Sequence, residues 1–182
     1  MKDTLMKLCA LSGVSGCEHE IRDYILERLM PFADQIETDS MGNIIVFKKG
    51  KTKTDRKIML AAHMDEVGLI VTNFADDGYL RFDCVGGIDR RVLIGKRILV
   101  GENKIPGIIS LKAHHLVTAE EEKKIPKVED MLIDIGCRSK DDAKKLVNLG
   151  DYCVFDQESA EIGDGYLLAK AIDDRVGCAA MI

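Results

Sequence analysis

The chain has 182 residues, 46% of them hydrophobic and 31% charged, with a formal net charge of −5. That length buries a substantial core in one domain or two small ones, and the composition is globular rather than disordered. The charges are interspersed without a Lys/Arg stripe, which excludes a nucleic-acid footprint, and no run approaches the roughly 18 apolar residues of a membrane span.

No apolar stretch follows Met1-Lys2-Asp3-Thr4, so the expected location is cytoplasmic, with no nucleic acid and no membrane as partner. Six cysteines (Cys9, Cys17, Cys84, Cys137, Cys153 and Cys178) are scattered without a C-x-x-C pair. They read as reduced, mostly buried packing residues, because thiolate metal ligation needs clustering.

Leu5, Leu8 and Leu11 predict a short first helix, broken by Ser12-Gly13-Val14-Ser15-Gly16. Ser15-x-x-Glu18 has the form of a capping box opening a second helix, with Ile21, Ile25 and Leu29 at fourfold spacing and Pro31 near its end. Ile36 to Asp39 and Ile44 to Phe47 flank the turn Ser40-Met41-Gly42-Asn43. Lys48 to Lys57 is a basic, solvated connection.

Ile58 to Ala62 reads as a buried strand of a largely parallel sheet, with His63 at its end and Gly68 beyond. After Gly68 come short apolar or alternating segments: Leu69 to Phe74, Tyr79 to Val85, Arg97 to Val100, Ile105 to Ser110, Met131 to Ile135 and Val154 to Phe155. Glycine turns punctuate them, which is the texture of a small β-barrel or sandwich, with one helix opened by Ser139. Residues 73–164 therefore form an inserted β-rich module, and residues 1–72 with 165–182 form the domain that receives it.

Tyr166 to Ile172 repeats the buried-strand pattern and runs into Asp173-Asp174-Arg175. The helix after Val176 stops at Ile182 with no Gly, Asn or Pro terminator, so it reads as cut rather than finished.

In an extended segment, side chains at i and i+2 point the same way, so His63 and Asp65 can reach one point. A metal ion suits that point: imidazole is a common ligand, and a carboxylate on its other ring nitrogen fixes the tautomer. The short H-x-D pattern equally fits a strand-end histidine in an exposed loop, with Asp65 and Glu66 as solvated turn residues. Asp173, at a second strand end, has two oxygens with which to bridge two cations. Asp173 and Asp174 equally suit a helix N-terminus, with Arg175 paired to a surface acid.

The ordered set of motifs resembles metallopeptidase family 42, the tetrahedral, glutamyl-aminopeptidase-like enzymes. The carrying residues are Ser15-Gly16-Cys17-Glu18, Asp39-Ser40-Met41-Gly42-Asn43, Ala62-His63-Met64-Asp65-Glu66-Val67-Gly68, Ile133-Asp134-Ile135-Gly136 and Ala171-Ile172-Asp173-Asp174-Arg175. The resemblance implies an α/β fold: a zinc-exopeptidase-like mixed sheet with flanking helices, incomplete here and interrupted by a small β-barrel domain used for dimerisation. It implies that His63 binds one metal, Asp173 bridges two, Asp65 is the catalytic residue orienting His63, and Asp174 supports.

The implied cofactors are two divalent ions per full-length subunit, zinc or cobalt, and the implied substrates are short peptides losing N-terminal residues. The implied assembly is a homo-oligomer, a dimer through the insert and a dodecamer when full length. The family's paired glutamates, including the general base, follow the Asp-Asp-Arg motif and have no counterpart here, so this fragment is expected to be inactive alone. Glu120-Glu121-Glu122 lies in the insert and cannot replace them. Three other readings are a related di-zinc N-acyl-amino-acid deacylase, a non-catalytic assembly fragment and, least of all in a chain without Trp, a cellulase. His114-His115, expected on opposite faces of a strand, and His19, in the first turn of the second helix, read as packing or surface residues.

Overall fold

The computed structural model describes residues 1–52, 56–120 and 123–182, which leaves Glu121 and Glu122 and part of the basic connection outside the description. The chain divides into two compact units, one of residues 1–66 with 158–182 and the other Val67–Gln157. The sequence pattern had placed the insert at 73–164. The strand β3, Gly68–Phe74, belongs to the barrel over its whole length, which moves the first boundary forward.

In the first unit, α1 (Lys2–Ala10), α2 (His19–Leu29) and α4 (Ile172–Met181) turn their apolar faces to one core. Leu8, Cys9, Ile21, Ile25, Cys178 and Ala179 are its buried centre. The fourfold spacing of Ile21 and Ile25 does what helical periodicity requires, placing both on one face. The strands β1 (Gln35–Thr38) and β2 (Ile44–Phe47) pair antiparallel with Thr38 opposite Ile44. Asp39 closes their turn, accepting from the backbone N–H groups of Met41 and Asn43, both at 2.9 Å.

The expected strand over Ile58–Ala62 is not formed. Ile58, Met59 and Leu60 are 91%, 88% and 71% exposed, and no described strand pairs with them. An apolar run becomes a buried strand only where neighbours satisfy its backbone and cover its faces. The second expected buried strand is also corrected: β10 (Tyr166–Leu168) is largely exposed and pairs only with the short β9 (Ala160–Ile162).

The second unit is a closed six-stranded barrel. Its strand order is β3, β4 (Leu80–Val85), β7 (Leu132–Asp134), β6 (Ile105–Ser110), β5 (Arg97–Val100) and β8 (Tyr152–Phe155), which returns to β3. Inward residues such as Leu69, Val71, Leu80, Ile98, Val100, Ile109, Ile133 and Cys153 fill the interior, and closure leaves no sheet edge to protect. The helix α3 (Lys140–Leu146) is capped by Ser139, whose hydroxyl accepts from the Asp142 N–H. His114–Leu116 forms a 3-10 turn rather than the expected strand.

Candidate metal centre

His63, Asp65 and Asp173 meet in the first unit. His63 Nδ1 lies 2.9 Å from Asp65 Oδ1, and His63 Nε2 lies 3.3 Å from Asp173 Oδ1. The i, i+2 relation brings the first pair together although these residues form no regular strand. Asp173 arrives from the start of α4, where it (φ −87°, ψ 108°) and Asp174 (φ −121°, ψ 39°) depart from helical geometry. Ala171 precedes them in the left-handed region at φ 53°.

Asp174 faces a different task. Its Oδ1 accepts from the Gly177 N–H at 3.0 Å, capping the helical turns that follow. Gly177 is needed at that spot: a Cβ there would fall 2.6 Å from Asp174 Oδ1 and 2.8 Å from the Ala62 Cβ.

The side chains at the centre are open while their backbone is held. His63 is 57% and Asp173 97% exposed at the side chain. The His63 carbonyl accepts from Cys178 Sγ at 3.4 Å, and the Met64 carbonyl from Arg175 Nε at 3.1 Å. Burial pulls the His63 pKa down, but hydrogen bonds and charge from Asp65 and then Asp173 outweigh it and leave the imidazole above its usual 6.5. For Asp65, burial acts upward, yet the Ser15 and His63 hydrogen bonds prevail and hold it below 3.8.

The donor chemistry fits part of a metal site. Two ligand atoms on a tetrahedral zinc, each about 2.0–2.1 Å from the ion, lie about 3.3–3.4 Å apart. His63 Nε2 and Asp173 Oδ1 have that separation. It is longer than the about 2.7–2.9 Å of a charge-assisted N–H···O bond. Among the described residues no group of three or more His, Cys, Asp or Glu side chains comes together to hold an ion.

Beneath the centre lies a buried ionic cluster that sequence reasoning missed. Glu66, read as a solvated turn residue, is 7% exposed, and Arg175 is fully buried. Glu66 Oε1 takes Lys170 Nζ at 2.5 Å and Arg175 Nη2 at 3.2 Å. Arg175 Nη1 also donates to the carbonyls of Leu8 (2.8 Å) and Leu11 (2.7 Å). Burial lowers the Lys170 pKa although the Glu66 carboxylate opposes it. The available signal was slight: Arg175 immediately precedes the small-residue stretch Val176 to Ala180, and a cation drawn into a core needs an anionic partner.

Several proteins similar to this chain in sequence and fold are named aminopeptidases. The aminopeptidase of the archaeon Desulfurococcus kamchatkensis superposes with a TM-score of 0.90 and 37% identity, over 98% of this chain and 49% of its own. The TET1 peptidase of Pyrococcus horikoshii, which can assemble into a tetrahedron or a large octahedral shell, gives 0.86 and 37%, over 99% and 54%. A protein of Acetivibrio thermocellus named provisionally as an aminopeptidase is 42% identical over 182 residues, all of this chain and 52% of its own. The M42 glutamyl aminopeptidase model matches residues 42–182, and the chain belongs to that family. The chain spans about half the length of the relatives it matches.

Proposed function

We propose that this chain contributes His63, Asp65 and Asp173 to the di-metal centre of a cytoplasmic aminopeptidase that releases N-terminal residues from short peptides. The observation that carries the reading is the 3.3 Å approach of His63 Nε2 to Asp173 Oδ1, with Asp65 on the opposite ring nitrogen. His63 would hold one ion through Nε2, and the two oxygens of Asp173 would bridge that ion to a second. Zinc or cobalt bound there supplies Lewis acidity and a water whose pKa falls towards about 7.

The protein's own part is orientation. Asp65 accepts the Nδ1 proton, which fixes the tautomer, directs the Nε2 lone pair outward and raises the basicity of the ring. Asp174 holds the first turn of α4 and so the place from which Asp173 projects. Among the described residues no general-base glutamate or further ligand joins this centre, and the chain by itself is inactive in this reading. A second half of the kind the relatives carry would complete the zinc-exopeptidase-like sheet. The barrel serves as the dimerisation surface of a homo-oligomer. Support for assembly comes from the TET1 peptidase and its closed shells.

The test uses the chain extended by such a half. It should cleave peptides with a free α-amine, leave N-acylated ones intact, lose activity to a chelator, and lose it again in His63→Ala and Asp173→Ala. Undiminished cleavage in either variant refutes the assignment.

A further inference from the structure

The Ser15 hydroxyl donates to Asp65 Oδ2, the carboxylate oxygen that His63 does not use. We infer that Ser15 is a positioning residue of the centre, the outermost member of a relay in which Ser15 orients Asp65 and Asp65 orients His63. The inference rests on the metal-site reading above and extends it to a residue that the sequence pattern assigned to a helix cap.

The cap is not made. The helix α2 begins at His19, its N-cap is Glu18, and no side chain caps it. Glu18 turns back instead, its Oε1 accepting from the Gly16 N–H at 2.6 Å. The Ser15 hydroxyl is thereby left to Asp65.

The loop that presents Ser15 is fixed without that hydroxyl. The Ser15 N–H donates to the Glu66 carbonyl at 3.2 Å, and the Glu66 N–H donates to the Gly13 carbonyl at 2.8 Å, so Val14 and Glu66 form a parallel bridge. The Cys17 N–H closes a tight turn onto the Val14 carbonyl at 2.7 Å. A Cβ at Gly13 would lie 2.8 Å from both Arg175 Nη2 and Ile21 Cγ2, so only glycine lets the loop approach this closely. Removing the hydroxyl therefore leaves the loop anchored and frees only the carboxylate.

Freedom at that carboxylate matters because the terminal torsion of Asp is broad and nearly two-fold. Asp65 is 34% exposed at its side chain, so water competes for both oxygens. With Oδ2 held, Oδ1 stays in line with His63 Nδ1, the proton stays on Nδ1, and Nε2 keeps its lone pair on the side of Asp173. Without it the carboxylate swivels and both tautomers become populated.

The experiment is ring-nitrogen NMR of 15N-histidine-labelled chain, metal-free and at a pH where the imidazoles are neutral, with His63→Gln used to assign the signals. The wild type should show His63 protonated at Nδ1 alone. Ser15→Ala should keep its fold by circular dichroism and give averaged ring shifts, and Ser15→Thr should restore the single tautomer. The near-isosteric pair Ser15→Thr and Ser15→Val carries the same comparison should Ser15→Ala fail to fold.

Cobalt titration of the same proteins should show affinity falling about 10- to 100-fold in Ser15→Ala. Wild-type ring shifts in whichever folded variant lacks the hydroxyl, Ser15→Ala or Ser15→Val, overturn the inference. Equal cobalt affinity in wild type, His63→Ala and Asp173→Ala overturns the metal site instead, while the ring shifts still decide the role of Ser15.

Discussion

Arg175→Met removes the guanidinium on which the first unit converges. It makes four hydrogen bonds, to the carbonyls of Leu8, Leu11 and Met64 and to Glu66 Oε1. Hydrogen bonds to charged groups contribute about 1.5–3 kcal/mol each, an upper bound of about 6–12 kcal/mol in total. Much of this survives the substitution. The Leu11 carbonyl and Glu66 Oε1 keep Lys170 at 2.9 Å and 2.5 Å, and the Leu8 carbonyl keeps the Leu11 N–H at 3.1 Å.

The loss falls mainly on the Met64 carbonyl and on the balance of the Glu66 charge, and should amount to about 3–4 kcal/mol, within the range for breaking a buried ion pair from one side. Arg175→Lys, which keeps the charge but not the fork of donors, should lose about half as much. Amide hydrogen exchange over α1 and α4 is the suitable assay, because it reports the first unit without assuming that both units unfold together. A loss below about 1 kcal/mol in Arg175→Met would mean that the desolvation of the cation cancels its bonds, and would refute the view that this cluster holds the H-x-D segment.

Asp39 is held below its ordinary 3.8 first by the Asn43 side chain at 2.8 Å and then by backbone N–H groups. Because the folded value is the lower one, its contribution is present above about pH 3.8 and fades as the pH falls through the folded value. Asp39→Asn should therefore flatten the acid dependence of exchange in β1 and β2, and an unchanged slope would count against it. Ala171 sits at φ 53°, a conformation that costs a residue with a Cβ about 1–2 kcal/mol. Allowing for the extra freedom of unfolded glycine, about 0.5–1 kcal/mol, Ala171→Gly should be neutral to stabilising in thermal melts and Ala171→Val clearly destabilising. Cys9, Cys153 and Cys178 are buried, and burial pushes the Cys153 thiol up to about 12. Iodoacetamide at neutral pH should label Cys17, Cys84 and Cys137 first, and early labelling of Cys153 would contradict a closed barrel.

The barrel was legible because each of its strands carries its own pattern. In β4, Leu80 and Phe82 are buried while Arg81 and Asp83 are exposed, an alternation that needs no knowledge of the partner strand. Helices α1 and α2 were legible for the same reason, their core faces being written at helical spacing. The strand over Ile58–Ala62 was misread because an unbroken apolar run reports only a tendency to be buried, and its neighbours decide whether it is. The strand β9 was not anticipated, since Ala160, Glu161 and Ile162 are all exposed and show no period at all.

The centre was half legible for a related physical reason. His63 and Asp65 announce themselves because their relation is local, two positions apart along the chain. The contacts that steady them are not local: Ser15 comes from 50 positions upstream and Arg175 from 111 positions downstream of Met64. Side chains at i and i+2 share a direction, yet aiming them to within a hydrogen bond requires that the backbone not move. That demand is met from behind, where Cys178 and Arg175 bind the carbonyls of His63 and Met64, while the side chains of His63 and Asp173 stay exposed. Open ligand side chains on a pinned backbone are what a metal centre needs, because the ion must reach its ligands while they wait already arranged. The sequence pattern supplies His63 and Asp65, and the folded core supplies their arrangement.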